Sequence, residues 1–429
     1  MTWALLGGLL LQGAAARAQL SLYTTVDLSR RNSPAVQLAE ADVARATAAL
    51  QQSRDAYLPS VIFGSSIGYS YGFPVGQPSV YNVQAQSLVL SFSQREYIRA
   101  ARAALRTAEL NLEDAVDQVS LDTAMDYIEL DTVLRQLTAL DEEKRSAERL
   151  MNIEQQRVAA GLESRMGATR AELNAAQADL RRLDLEAEAE LLREKLAHLT
   201  GLSPASMVPQ AETIPGEPMF AQGGATLGLK NASVEAGFAN AVSKHYVARG
   251  DNRQNYRPQI SLGVNYSRYA EFNNYAEYYL RFQHNNFDVG LQMQLPFFDA
   301  TKRAQARGSA ADAVHADAQA AQARDIGEEQ MQQLRGSLRE LRAQERVARL
   351  QNDLAQQQLE SVETQLAGGA QSVGAPALSP ADQMLAQIAE RQRYTQVLDA
   401  HLQLMRAELG LLRATGGLAD WLNTPPHTP

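Results

Sequence analysis

The feature that most constrains the fold is an internal repeat, because one arrangement of segments occurs twice along the chain. Residues 32–59 align without a gap with residues 231–258, at an offset of 199. Both segments end in a Tyr-x-Pro motif, which closes at Pro59 and Pro258. Proline lacks an amide donor and excludes helical geometry in the residue before it, so each segment is predicted to be a helix that stops at its proline. A duplicated chain follows.

The sequence after each proline alternates between apolar and small polar residues. The clearest runs are 258–268 and 286–297, where every second residue is mostly Ile, Leu, Val, Met or an aromatic residue. The corresponding runs in the first half are about 59–73 and 83–94. A period of two predicts strands with one apolar and one wet face, and transmembrane barrel strands have this pattern.

The placement of aromatic residues distinguishes a membrane sheet from a soluble one. The chain has 25 Tyr and Phe residues, and 19 of them fall within 57–97 and 256–298, which together hold only 84 of 429 residues. Aromatic side chains concentrate where lipid-facing strands cross the headgroup region. This clustering favours a membrane barrel over the alternative, an aromatic-rich soluble β-domain.

Four strands are too few to close a membrane barrel. An open strand edge is not tolerated in lipid, and the smallest known barrels have about eight strands. The chain is therefore expected to share a barrel with copies of itself. Two chains would supply eight strands and three would supply twelve, and this reasoning leaves both open.

Most of the remaining sequence is predicted to be long helix. Residues 95–160 contain no Pro or Gly, which allows about 100 Å of continuous helix at about 1.5 Å per residue. The other predicted helices are 32–57, 162–200, 231–256, 300–367 and 379–415. In each half the two shorter helices together match the long one in length, which indicates end-to-end stacking against it. The predicted fold class is mainly α with membrane β.

The remaining segments define the domain organisation. Residues 1–18 resemble a secretory signal peptide with an A-x-A cleavage site at 16–18, although no Lys or Arg precedes the apolar run. A buried N-terminal helix is the alternative. The repeats are predicted to span 19–202 and 227–416, with a linker at 203–226 rich in Pro and Gly and a flexible tail at 417–429.

Composition excludes several kinds of chemistry. The chain has no cysteine, so it offers no thiolate nucleophile, cysteine-ligated metal or disulfide. Its six histidines are scattered singly, so no metal-site spacing is present and no cofactor is expected. The net charge of -9 argues against a nucleic-acid partner. No acid–base pair, phosphate loop or nucleophile arrangement indicates an enzyme.

Two short motifs extend this pattern to a known family. The sequence from Arg157 to Ser164 (RVAAGLES) is similar to an R-x-x-x-G-L-x-S hairpin tip, and Leu295 to Asp299 (LPFFD) is similar to an L-P-L-F-D stretch after a fourth strand. With the doubled plan, they make the chain resemble the TolC-type outer-membrane efflux proteins over nearly its whole mature length. The resemblance implies a homotrimer with a 12-stranded barrel in outer-membrane lipid, on a long periplasmic α-helical barrel.

The resemblance also implies partners and candidate site residues. Hairpin tips of such proteins dock on a periplasmic adaptor (membrane fusion protein) that connects to an inner-membrane pump. The docking candidates here are Ala160, Gly161, Leu162, Ser164, Gly368 and Gly369. The second tip, near 369–378, departs from the family pattern through an apparent insertion of seven residues before Asp382, which puts its docking in doubt.

Acidic residues before the second tip are candidates for a periplasmic gate. By the same resemblance, Glu360 and Glu363 fall where related proteins close their periplasmic end. A symmetric ring of carboxylates would attract cations, and its internal repulsion would favour opening. The alternative is that both are solvated surface glutamates.

The sequence is therefore interpreted as a passive outer-membrane exit duct of a tripartite efflux system for small molecules. The duct of a type I protein-secretion system is the alternative within the same class. A periplasmic coiled-coil scaffold without a pore is the alternative from another class. An ordinary porin is disfavoured because over half the chain is predicted to be long helix.

Overall fold

The structure is a computed structural model that describes residues 20–66, 79–218, 231–269, 283–368 and 378–424. It is mainly helical, with one four-stranded antiparallel sheet. The predicted signal peptide lies outside the described residues, as do parts of the first strand, of the linker and of the second tip.

The helices confirm the predicted mainly helical content. They are α1 (Leu22–Asn32), α2 (Pro34–Asp55), α3 (Phe92–Ala159), α4 (Arg165–Thr200), α5 (Ala232–Gln254), α6 (Ala300–Gly368), α7 (Pro380–Thr415) and α8 (Leu418–Leu422). The strands are β1 (Ser60–Gly64), β2 (Ser79–Ser91), β3 (Gln259–Tyr269) and β4 (Asn285–Gln294). The order helix, two strands, long helix, shorter helix occurs in both halves of the chain. None of the described helices is both long and apolar enough to cross a membrane.

The sheet follows chain order, β1-β2-β3-β4, with every neighbouring pair antiparallel. Its register places apolar residues opposite apolar residues, as in the pairs Leu262 with Leu291 and Val264 with Val289. Because side chains alternate between the faces of a sheet, these pairs form one apolar face. Within the described residues, β1 and β4 each pair along one edge only.

The second strand differs from its predicted bounds of 83–94. It starts earlier, at Ser79, and ends at Ser91, where α3 begins directly. The Ser91 hydroxyl accepts a hydrogen bond from the Gln94 amide at 3.1 Å. Serine at this position satisfies an amide of the first helical turn, so the last three residues of the predicted strand belong to the helix instead.

The helix predicted at 32–57 corresponds to α2, and the structure adds a helix before it, α1, that was not predicted. Ser33 is extended between α1 and α2. Pro34 then starts α2, because proline is tolerated in the first turn of a helix, where its missing amide has no partner. α1 begins with a serine cap, in which the Ser21 hydroxyl accepts a hydrogen bond from the Thr24 amide at 3.2 Å.

The prediction of a flexible tail after Gly416 is wrong for the residues that form α8. Leu418, Trp421 and Leu422 are buried in the same apolar cluster as α1, α3 and α7, with Trp421 only 7% exposed. The Trp421 indole donates a hydrogen bond to the Gly216 carbonyl at 3.0 Å. A large apolar ring that also finds a polar partner is a strong reason for a chain end to pack. Residues 425–429 lie outside the described residues.

The linker predicted at 203–226 is packed over its described part, residues 203–218. Two short 3₁₀ turns, Pro204–Ser206 and Ala211–Thr213, flank the buried Met207. The Tyr127 hydroxyl of α3 accepts a hydrogen bond from the Gln210 amide and donates one to the Leu20 carbonyl, both at 2.7 Å. This pair of bonds fixes the segment against the helix.

The chain forms two compact units. The first unit comprises residues 1–37, 115–231 and 327–429, and the second unit comprises 38–114 and 232–326. Four apolar clusters make the core of the first unit, and the second unit holds the sheet. Each unit draws on both halves of the sequence.

Candidate functional site

The first predicted docking tip is the turn between α3 and α4, in the first unit. Gly161 has a φ of 71°, which L-residues with side chains rarely adopt. Its amide donates to the Val158 carbonyl at 3.0 Å, and the Leu162 amide donates to the Arg157 carbonyl at 2.9 Å. This pair of bonds is a Schellman motif, which ends a helix and reverses the chain. The local sequence thus forms a tight hairpin.

The turn presents its residues outward. Ala160, Gly161, Leu162 and Ser164 are all exposed, and Leu162 has 73% of its surface accessible. Met166, in the first turn of α4, is also exposed, and it was missed from the sequence because no motif marks it. The tip therefore carries a small apolar patch.

Polar and charged side chains lie next to this patch. Ser164 caps α4, because its hydroxyl accepts a hydrogen bond from the Gly167 amide at 3.3 Å. Hydrogen bonds from the Ser164 amide and hydroxyl lower the pKa of the Glu163 carboxyl, and Arg157 lies 3.5 Å away from it. Glu163 therefore stays ionised at neutral pH beside the exposed leucine.

The start of α7 packs beside this hairpin. Ala381, Met384 and Ile388 are buried against Leu150 of α3 and Ala171 of α4. A capping box begins α7: the Ser379 amide donates to the Asp382 carboxylate at 2.7 Å, and the Ser379 hydroxyl lies 2.8 Å from the same carboxylate. Ser379 and Asp382 lie farther from the second tip than the family pattern places them. In the structure they form an ordinary capped start of a helix.

The second predicted tip is only partly described. Gly368 is the last residue of α6, and Gly369 lies outside the described residues together with all but the last residue of the insertion predicted at 370–378. Residue 378 precedes the capping serine of α7. The structure therefore shows which two helices this tip joins, and the docking role of its glycines stays a prediction.

The two gate candidates lie on one face of α6 near its end. Glu360 and Glu363 are three residues apart, and both are exposed. Glu363 accepts a hydrogen bond at 3.3 Å from the amide of Gln383 on α7. This bond places the Glu363 carboxylate beside the start of α7, and the role of both residues as a gate stays a prediction.

The sheet presents an apolar row to its surroundings. On β4 the alternate residues Phe287, Val289, Leu291 and Met293 are exposed, and Leu291 has 71% of its surface accessible. The residues between them are polar or glycine, including Asp288 and Gln292. A row of this kind on a strand with an open edge leaves a large apolar area without cover in the single chain.

The fold also assembles a charged cluster that the sequence reasoning did not find. Glu217, Glu345 and His401 offer ligand atoms that lie within 4.8 Å of one another. They come from the linker, α6 and α7, so no short sequence motif contains them and the sequence could not predict the cluster. His401 Nδ1 lies 3.0 Å from Glu345 Oε1 and 3.7 Å from Glu217 Oε1.

This cluster already contains a cation. The Arg349 guanidinium lies 2.6 Å from Glu345 Oε1 and 3.6 Å from Glu217 Oε1. Burial raises the pKa of Glu345, but hydrogen bonds from Arg349 and His401 outweigh that effect and lower the pKa overall. The geometry is that of an ion-pair clasp between the linker and two helices. A metal ion would have to compete with the guanidinium for the same carboxylate oxygens.

Comparison with known proteins then places the chain. The family model described as outer membrane efflux protein matches residues 25–202. The predicted family resemblance is confirmed over these residues, which are less than half of the chain. The description of that family agrees with the outer-membrane location predicted for the chain. No curated protein sequence matches significantly.

Solved structures that share the fold extend over most of the chain. The Campylobacter jejuni CmeC outer membrane channel has a TM-score of 0.75 at 15% identity, over 92% of this chain and 86% of that one. The Vibrio cholerae outer membrane protein VceC has a TM-score of 0.72 at 18% identity, over 92% and 96%. The open state of the Neisseria gonorrhoeae MtrE outer membrane channel has a TM-score of 0.72 at 15% identity, over 95% and 91%. At such identities the likeness establishes the fold.

Proposed function

We propose that this chain is the outer-membrane exit duct of a tripartite efflux system. It would passively conduct small molecules that a periplasmic adaptor and an inner-membrane pump deliver. The observation that carries the proposal is the exposed apolar row on β4, on a sheet whose two outer edges are open within the described residues. Lipid would cover the row, and strands of neighbouring copies would cover the edges.

The proposed assembly is a homotrimer of internally duplicated protomers. With four strands each, three copies would complete a 12-stranded barrel, in which β4 of one copy pairs with β1 of the next. The long helices α3 and α6 would line a periplasmic helical barrel with the shorter ones. The matched family supports this assignment, and so does the likeness in fold to MtrE, an outer membrane channel whose open state has been solved.

The first experiment is the mass of the protein extracted from the outer-membrane fraction, measured by light scattering in detergent. A mass near three protomers is expected. Conductance in planar bilayers of neutral phosphatidylcholine then tests the duct itself. A soluble periplasmic monomer or dimer without conductance would instead support the coiled-coil scaffold.

The tip between α3 and α4 is proposed to dock on the adaptor. The exposed Leu162 and the charged Glu163 beside it are suited to a small mixed interface. Because the chain has no native cysteine, Leu162→Cys creates a single attachment point for a photo-crosslinker. The matched control is Leu38→Cys, which replaces another exposed leucine, on α2.

In cells, the label at 162 is expected to crosslink a membrane fusion protein, identified by peptide mass spectrometry, and the label at 38 is not. Both variants must first form the wild-type assembly. Equal crosslinking of this partner from both positions, or none from 162, would remove the docking role.

The carboxylates of Glu360 and Glu363 are proposed to act as a ring at the periplasmic end. The double variant Glu360→Gln/Glu363→Gln is expected to lower cation preference, read as the reversal potential of the channel in a salt gradient. Glu340→Gln, which removes an exposed carboxylate elsewhere on α6, is the control. Unchanged selectivity in the double variant would leave both residues as solvated surface groups.

A further inference from the structure

A basic groove lies in the second unit, between α5 and α6. Its volume is about 860 Å³. Three arginines line it, Arg249 from α5 and Arg303 and Arg307 from α6, over a floor that includes the buried Ala313. The groove thus concentrates positive charge in a protein whose net charge is -9.

The arginines of this groove form no ion pair among the described residues. Among its lining residues there is no Asp or Glu, and none of the three arginines forms an ion pair within the part of the chain that the structure describes. The one histidine of the lining, His245, lies 2.7 Å from Asp317. Three guanidinium groups without an ion-pair partner around one groove attract an anion, and guanidinium matches phosphate geometry through paired hydrogen bonds.

Aromatic rings accompany two of the arginines. The guanidinium of Arg303 lies 4.9 Å from the ring centroid of Phe298, and that of Arg249 lies 5.4 Å from the ring centroid of Tyr246. Phe298 is 73% exposed. Exposed aromatic rings beside basic side chains are typical of the level where a membrane protein meets lipid headgroups.

The groove also lies where the sheet ends. Asn255 of its lining precedes the start of β3 at Gln259, and Arg303 follows the end of β4 at Gln294. The 11 residues of β3 extend for about 36 Å, and a tilt of roughly 40° makes this close to the thickness of a hydrocarbon core. If the sheet spans the membrane, as proposed above, then the groove is at headgroup level.

We propose that this groove binds the phosphate headgroup of an anionic phospholipid, with Arg303 and Arg307 as its main ligands and Arg249 beside them. The inference rests on the proposed function, because only a membrane-inserted sheet brings lipid to this level. The position of the groove at the end of the sheet and the aromatic rings beside its arginines favour a lipid. Free phosphate would need neither feature. A basic side chain near an anionic membrane surface adds measurably to binding.

The test uses the full-length protein, reconstituted into vesicles that contain equal amounts of phosphatidylglycerol and phosphatidylcholine. After gentle extraction, native mass spectrometry measures which lipid each assembly retains. The wild type is expected to retain phosphatidylglycerol preferentially. The double variant Arg303→Gln/Arg307→Gln is expected to lose about tenfold in this preference. The control Arg339→Gln/Arg346→Gln removes the same charge from exposed positions of the same helix and should keep the preference.

Other outcomes overturn the lipid site. They are equal retention of both lipids by the wild type, equal loss in the two double variants, and full displacement of phosphatidylglycerol by inorganic phosphate. If instead Arg303→Gln/Arg307→Gln breaks the assembly into single chains while its retained lipid is unchanged, then a second copy covers the groove. Conductance in pure phosphatidylcholine separates the two proposals, because a channel that conducts there keeps the duct function even when the lipid preference is absent.

Discussion

At the scale of single residues, Gly250 shows how closely two helices approach. A Cβ at this position of α5 would lie 2.5 Å from Cε1 of Tyr97 on α3. The Tyr97 ring cannot move aside freely, because its hydroxyl donates a 2.6 Å hydrogen bond to the buried Asp251 carboxylate. Burial and this carboxylate both raise the pKa of Tyr97, so its hydroxyl stays protonated. Only glycine therefore fits.

Gly250→Ala is expected to destabilise the protein by about 1–3 kcal/mol, because overpacking forces the ring or the helix to shift. Gly308→Ala is the matched control, since Gly308 is also helical and a Cβ there would meet nothing within 4 Å. That change should stabilise by up to about 1 kcal/mol through helix propensity. Thermal unfolding in detergent measures both, and equal shifts for the two would contradict the close approach.

The carboxyl group of Asp126 on α3 lies in surroundings that disfavour its ionised form. Burial is the main cause that raises its pKa to about 6, and the neighbouring carboxylates Glu129 and Asp122 add to the increase. Lys195 and Arg406 act in the opposite direction without cancelling it. Because the folded state holds its proton more tightly than the unfolded state, ionising Asp126 opposes folding.

The resulting penalty is absent below about pH 4, grows up to about pH 6 and is complete above that. Asp126→Asn is therefore expected to raise the free energy of unfolding at pH 8 by about 1 kcal/mol, after allowance for the water that reaches the partly exposed carboxyl. At pH 4 the variant and the wild type should be equally stable. Urea unfolding at the two pH values checks this, and a variant that gains as much at pH 4 contradicts the assignment.

Of the two glycine positions Gly161 and Gly250, the sequence predicted one and not the other. The glycine turn at Gly161 was predictable, because a helix hairpin needs a residue with positive φ and the local motif supplied it. The requirement for glycine at 250 was not, because it comes from Tyr97, more than 150 positions earlier. The residues next to a position in the sequence do not reveal which distant residues pack against it.

At the scale of elements, one buried carboxylate connects three helices. Glu143 of α3 lies 2.5 Å from Arg181 of α4 and accepts a 2.7 Å hydrogen bond from the amide of Gln392 on α7. The Glu143 side chain is almost completely buried, whereas Arg181 is half exposed. The Glu143 carboxylate therefore holds the three helices in register, because a buried charge needs its ion-pair and hydrogen-bond partners.

Arg181→Met is expected to cost about 2 kcal/mol, because it leaves a buried charge with only an amide partner. Adding Glu143→Gln should recover more than half of the loss, since the charge is then gone. Lys144→Met, which breaks an adjacent but more exposed ion pair with Asp179, should cost less than about 1 kcal/mol. Chemical denaturation of all three variants gives the comparison. If Arg181→Met costs no more than Lys144→Met, Glu143 is not a charge that needs pairing.

Element bounds were largely predictable and element packing was not. A long run without Pro or Gly predicted α3, and a run without Pro that contains only three internal glycines predicted α6, since helix propensity acts locally. The short helix α8 was missed, because five residues beside two glycines and three nearby prolines read as a tail. It is a helix because Trp421 is buried among residues of three other helices.

At the scale of the whole molecule, the sheet face can be tested by charge. Leu291→Lys places a cation in the exposed apolar row of β4, where lipid contact would cost about 2–4 kcal/mol. Gln292→Lys places the same charge on the opposite, polar face of the same strand. The first variant is expected to reduce the assembled outer-membrane protein strongly, and the second is expected to leave it near the wild-type level.

The amount of assembled protein in outer-membrane fractions, resolved on non-denaturing gels, gives the result. Equal assembly of the two lysine variants would show that the apolar row does not face lipid. A stronger defect for Gln292→Lys would mean that the two faces are assigned the wrong way round.

The sequence by itself determined the periodic part of this protein. The alternation over β3 and β4 and the long proline-free runs of α3 and α6 are properties of neighbouring residues, so the sequence alone shows them. Only the tertiary structure decided how the two halves of the chain combine: each compact unit contains residues of both halves, and β2 of the first half pairs with β3 of the second. It alone joined Glu217, Glu345 and His401, and it alone placed Arg249 beside Arg303. Such groups meet because helices and strands pack, and packing depends on surfaces assembled from distant parts of the chain.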